Sequence, residues 1–141
     1  MLESYLAAAL LGVVAGLRTF TAPAVFWLVR HRSPIAYLLG ILALMELALD
    51  LNPKAPARTG VIGLSARVIS GAFCGGAVMA TVGHSLFIGA LLGAIGAVVG
   101  AYGGLAARTR AIALIGRVPA ALLEDAIAIA AAVAIVTERF V

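Results

Sequence analysis

Five apolar stretches of near-bilayer length, separated by short basic or turn-forming segments, constrain this chain more than any other feature. They run over Leu6–Val29, Pro34–Leu51, Val61–Val82, Leu86–Ala107 and Val118–Val136. A helix of about 20 apolar residues crosses the hydrocarbon core of a bilayer. The separators are Arg30-His31-Arg32-Ser33-Pro34, Asn52 through Arg58, Gly83-His84-Ser85, and Arg108 through Arg117. Proline, glycine and clustered charge mark each as a turn or loop. The third is so short that spans three and four form an antiparallel hairpin. Only 11% of the residues are charged and 64% are hydrophobic, whereas soluble domains average about 25% charged. The pattern predicts an all-α polytopic transmembrane helical bundle of about five spans, with residues 1–141 forming a single transmembrane domain; four spans plus one re-entrant segment is the alternative, because the first span is compromised.

Charges within apolar spans are the candidate functional groups. Arg18, Glu46, Asp50, Arg67, Glu124 and Asp125 lie inside the spans or at their edges. An ionised side chain at mid-bilayer costs about 2.5–3.5 kcal/mol on insertion scales, so it faces protein or a watery cavity. Glu46 and Asp50 are four residues apart and share one helix face. At the helical rise per residue they sit roughly 8 and 2 Å from the end of span two. Glu124 and Asp125 lie roughly 9–11 Å into span five from the same face. Arg67 is close to that depth, and Arg18 is deeper. Glu46, Glu124 and Arg67 are the expected partners, with Arg18 reaching toward them. Two readings stay open: ion pairs that fix helix packing, or a site for an ion, proton or polar headgroup. Four acids against two buried bases leave room for a cation or a proton.

The first span contains Gly16-Leu17-Arg18-Thr19-Phe20-Thr21-Ala22-Pro23. Pro23 removes a backbone donor and clashes with the preceding turn. The span is therefore either broken near Arg18–Pro23 or continuous and kinked there. A break frees backbone groups at membrane depth, as in the discontinuous helices that build transporter sites. Thr19 and Thr21 join the candidate site on this ground.

Span four carries Gly89, Gly93, Gly96, Gly100 and Gly104 at spacings of three and four. Such stripes let helix backbones approach closely, and they predict tight packing within or between protomers, with a homo-oligomer as the expected assembly. No strand precedes them and no Lys-Ser/Thr follows, which excludes a phosphate-binding loop. A shorter echo links residues 57–68 to 107–118, where seven of twelve positions match. It suggests a duplicated helical hairpin.

Basic residues set the orientation. Lys54, Arg58, Arg67, Arg108, Arg110 and Arg117 fall on one face of a five-span bundle, and Arg30, Arg32 and Arg139 on the other. The bias predicts a cytoplasmic N-terminus and an external C-terminus. Because the net charge of +4 resides in these topology-setting flanks, nucleic acid is not an expected partner. Met1-Leu2-Glu3-Ser4 lacks a basic n-region, so a cleavable signal peptide is not expected. Trp27 reads as an interfacial anchor, His31 and His84 as interfacial residues, and Cys74 as a packing residue. No His/Cys pair has ligand spacing, and no catalytic motif is present. No metal or cofactor is expected, and enzymatic activity is unsupported.

Gly16-Leu17-Arg18-Thr19-x-Thr21-Ala22-Pro23-Ala24, Glu46-x-x-x-Asp50-x-x-Pro53-x-x-Pro56-x-Arg58-Thr59, Ala66-Arg67 and Ala120-x-x-x-Glu124-Asp125-Ala126 occur in this order. In these pieces the chain resembles domain-of-unknown-function family 4126, a group of small bacterial integral membrane proteins. Where that family commonly carries Asp-Lys, this chain has Asp50-Leu51. The resemblance implies a multi-helix protein of the bacterial inner membrane and supplies no substrate. The leading expectation is a small transporter or channel-like protein for an ion or small polar solute. A membrane assembly factor is the first alternative, and an enzyme or carrier acting on lipid headgroups the second.

Overall fold

The computed structural model describes residues 1–52 and 59–137, which form six α-helices. They are α1 (Leu2–Leu17), α2 (Thr21–Arg30), α3 (Pro34–Asp50), α4 (Val61–Thr81), α5 (Leu86–Ile115) and α6 (Arg117–Thr137). Three of them, α4, α5 and α6, are long and apolar enough to cross a membrane, and α1 is a shorter apolar helix. The surface is apolar as well as the core, and a few charged side chains are buried. Arg18 heads the largest fully buried side chains, while Ile62, Phe87 and Leu114 stand out from the surface. That arrangement suits a lipid solvent.

The helical architecture is as expected, but among the described residues the five expected spans are not all reproduced as single long helices. The first expected span, Leu6–Val29, is two helices, because the chain breaks at Arg18-Thr19-Phe20. Pro23 is the third residue of α2, where its missing N–H costs nothing, but its ring forbids a helical carbonyl at residue 19. Arg18 accordingly takes an extended backbone, φ −141° and ψ 116°. The fourth expected span also has different limits. The segment from Arg108 to Ile115 contains no helix breaker and continues α5 in place of a loop. Gly116, at φ 88°, then ends the helix and turns directly into α6. The turn between α4 and α5 is a Schellman motif around Gly83 at φ 73°, where the His84 N–H reaches Met79 O at 2.9 Å and the Gly83 N–H reaches Ala80 O. Ser33 caps α3 by accepting from the Ala36 N–H, with Pro34 in the first turn.

Helices α1, α4 and α5 form the tight core. Gly12 and Gly71 lie against Gly93, Gly75 against Gly89, Gly96 against Ala9, and Gly100 against Val13. A Cβ added to Gly16 would come within 2.7 Å of Ala101 N and 2.8 Å of Gly100 Cα. The stripe from Gly89 to Gly100 is thus used within one chain, and Gly104 is buried beyond it. Contacts between α1 and α5 rise together, from Tyr5 stacked on His84 to Gly16 beside Ala97, so these helices run parallel. The N-terminus therefore lies at the end of the bundle holding the α4–α5 turn, not at the end holding the α3–α4 and α5–α6 connections, as the five-span reading had it.

Past the break the chain reverses. Arg67 meets Gly16 and Leu17, Ser70 meets Thr19, and Phe73 stacks on Trp27 with ring centroids 4.9 Å apart. Residues along α2 thus follow α4 back toward the α4–α5 turn, and Trp27 packs twelve residues into α4 instead of anchoring at an interface. Helix α3 returns antiparallel to α2, with Gly40 against Leu28 and Glu46 at the break. It buries only Ala36. The echoed segments differ locally: Arg67 is buried in α4, while Arg117 is the exposed first residue of α6. Lys54, Arg58 and Arg139 lie outside the described residues.

Glycine 93 tests this packing. Gly93→Ala places a methyl group on the Gly71 carbonyl, whereas Gly103 has no heavy atom within 4 Å of an added Cβ. Thermal unfolding in detergent should show a clear fall in midpoint for Gly93→Ala and none for Gly103→Ala. Equal midpoints would remove the α1–α4–α5 glycine contact from the core.

Candidate functional site

The break frees backbone groups that lipid cannot satisfy, and charged side chains from neighbouring helices meet them. Glu46 of α3 accepts from both N–H groups of the break, Thr19 N at 2.7 Å and Phe20 N at 2.9 Å, one to each carboxylate oxygen. Both donors lie just before α2, where the helix dipole favours negative charge. At the other lip, Arg67 of α4 donates through Nη1 to the carbonyls of Gly16 (3.1 Å) and Leu17 (3.2 Å), the last residues of α1. Positive charge at a helix C-terminus is favoured by the same dipole. Arg67 and Glu46 approach to 4.0 Å. Ser70, one turn along α4, donates to Thr19 O, the carbonyl that Pro23 excludes from a helix.

From the break a chain of opposite charges extends toward the α5–α6 end. Arg18 is 1% exposed and bridges Asp50 of α3 at 2.6 Å and Asp125 of α6. Asp50 is shared with Arg108 of α5, whose Nη1 also lies 3.4 Å from Glu124 Oε2. Arg108 further donates through Nη2 to the Asp50 carbonyl at 3.3 Å. All six charged residues singled out in the sequence are therefore gathered around the break in two groups, Arg67 with Glu46 and Arg18 with Asp50, Asp125 and, through Arg108, Glu124. Thr19 takes part through its backbone, and Thr21 is buried at the start of α2.

One pairing differs from expectation: Glu124 faces Arg108. Arg67 faces Glu46 as expected, together with the carbonyls of α1. Arg108 and Ser70 were not among the sequence candidates. Arg108 looked like a topology-setting flank because span four was ended at Ala107; reading α5 through to Gly116 would have put Arg108 on a helix opposite the acids. With Arg108 the two groups together hold four acids and three bases. Among the described residues no group of three or more His, Cys, Asp or Glu side chains is arranged to hold a metal ion.

No family model, curated protein or solved structure matches this chain. The charged residues of the sequence motifs that lie within the described part all take part in these contacts.

Glu46→Gln keeps the side chain's shape but turns an amide donor toward a backbone N–H. A buried donor left without an acceptor costs about 1–3 kcal/mol, and a buried arginine stripped of its acid about 3–5 kcal/mol. Glu46→Gln and Asp125→Asn should each lower the unfolding midpoint measurably in detergent. Ser65→Ala, on an exposed position of α4, should not. Wild-type stability in both charge variants would show that the break is held by something else.

Proposed function

We propose that this chain is a multi-pass protein of the bacterial inner membrane that moves an ion or small polar solute through a site at the α1–α2 break. The observation that carries this reading is a pair of buried charge groups that meet at the break: Arg67 and Glu46 on its backbone, and Arg18 leading through Asp50 to Arg108 and Glu124. Together they join non-helical backbone at membrane depth to one end of the bundle. Backbone of this kind occurs in membranes where it is buried in protein or lines a cavity, and broken helices of transporters are the common case. Arg18, the backbone of Thr19, and Glu46 form the innermost station in this proposal; Asp50, Asp125, Arg108 and Glu124 form the approach.

In this reading α1 and α2 make a re-entrant hairpin, and α3 to α6 cross the membrane four times. The start of α1 and the end of α6 then lie on the same side. The end of α3, the start of α4 and the turn at Gly116 lie on the other, with Arg108, Arg110 and Arg117 nearby. Basic residues mark the cytoplasmic side, so the N-terminus is external here, in place of the cytoplasmic N-terminus that five spans entail. Reporter fusions at residue 1 and residue 141 should give the same external reading. Opposite readings would restore five crossings.

A second reading has its own observation. Glu46 and Arg67 are engaged in capping the break, which a purely architectural network would also require. Arg108→Gln combined with Glu124→Gln separates the two, since removing both members of a pair leaves no partner stranded in that pair. Proton and monovalent-ion flux in proteoliposomes should be present for the wild-type protein and lost in the folded double variant. A folded double variant with unchanged flux would sink the approach path. A wild-type protein that passes none of these ions, with assembly of other membrane proteins impaired on its loss, would favour scaffolding.

A further inference from the structure

A groove of about 460 Å³ runs between α1, α5 and α6, from Leu17 at the end of α1 past the Arg108–Glu124 pair. Its apolar part is lined by Val13, Leu17, Val99 and Ile127, and it is kept open by Gly103, where an added Cβ meets nothing within 4 Å. Its outer part is lined by Arg108 and Ala111 of α5 and by Ala120 and Glu124 of α6, the carboxylate of Glu124 being held by Arg108. Two more arginines continue these helix faces outward. Arg110 lies three residues from Ala107 and seven from Gly103, both lining the groove; Arg117 lies three residues before Ala120. Residues at these spacings share a helix face. Arg110 and Arg117 are exposed and make no ion pair among the described residues.

The depth of this end follows from helix pairing. Gly75 meets Gly89 and Gly71 meets Gly93, which places Val61, the start of α4, level with roughly residue 103 of α5. The last dozen residues of α5 therefore extend roughly 18 Å past α4 at the helical rise per residue. Arg110 and Arg117 are exposed on this projecting end, beyond the outer part of the groove.

We infer that this groove holds one acyl chain of an anionic phospholipid, with the phosphate bound by Arg110 and Arg117 at the rim. Basic pockets between membrane helices on the cytoplasmic side recognise anionic headgroups in this way. The inference does not depend on solute transport.

Native mass spectrometry of the purified protein in neutral detergent tests it, with phosphatidylglycerol and phosphatidylcholine of identical chains as probes. Phosphatidylglycerol should add as one discrete molecule at least tenfold more tightly than phosphatidylcholine. Arg110→Gln with Arg117→Gln should erase that preference without changing the unfolding midpoint. Gly103→Leu, which fills the groove, should block the lipid while both arginines remain. Equal binding of the two lipids, or a preference that survives the double arginine variant, would overturn the headgroup assignment. Full binding by a folded Gly103→Leu protein would overturn the acyl-chain site. Inorganic phosphate that competes the lipid off at millimolar concentration would reduce the site to a free-anion patch and overturn the proposal equally.

Discussion

One constraint organises this structure: a helix that stops inside an apolar bundle cannot leave its last carbonyls and the next helix's first N–H groups bare. Pro23 forbids a helical carbonyl at Thr19, so α1 ends and α2 begins within three residues. Elsewhere in a protein, water would satisfy the freed groups. Here the partners are a carboxylate at the N–H lip, a guanidinium at the carbonyl lip and a hydroxyl on the excluded carbonyl. Each is matched in sign to the helix end it meets. Glu46 and Arg67 are thereby fixed in type as well as in place, since exchanging them would put like polarity against like.

The packing of α1, α4 and α5 is what brings those partners within reach. Hydrophobic burial supplies little association between helices already in lipid, so close van der Waals contact matters more. Glycine and alanine at the α1–α5 and α4–α5 contacts remove the side chains that would hold the backbones apart. Arg67 can then touch the end of α1 from a neighbouring helix. The outer helices are built differently. Helix α3 buries a single alanine, and it delivers two acids to the network from its inner face. Its attachment to the core rests on α2 and on Glu46 and Asp50, so electrostatics does for α3 what glycine packing does for α5.

Much of this was legible in the sequence, and the failures have identifiable causes. The six charges were found because an apolar background makes each one conspicuous, and their similar depth followed from helical rise alone. The position of the break was marked by Pro23, with Arg18 and the two threonines beside it. Direction was not legible. Nothing in residues 18–20 says whether the chain continues across the bilayer or folds back, because that is decided by where Ser70 and Phe73 of α4 lie. Span counting by hydropathy takes a helical hairpin of the right total length for one crossing, and Leu6–Val29 has that length. Arg108 was missed for the opposite reason, a boundary drawn at charge when α5 had no reason to stop before Gly116.

The distribution of charge between layers carries the last step. The three arginines belong to the tightly packed helices or to the end of one: Arg18 to α1, Arg67 to α4, Arg108 to α5. The four acids belong to the two outer helices, Glu46 and Asp50 to α3, Glu124 and Asp125 to α6. A guanidinium holds its charge under all accessible conditions and offers a rigid fork of donors, which suits a fixed frame. Carboxylates can take up a proton, and protonation weakens their hold on an arginine. In α3, with one buried residue, that hold is a large share of what keeps the helix seated. The same division of charge that satisfies a broken helix therefore also seats α3, whose acids hold it to the arginine frame where buried apolar residues do not.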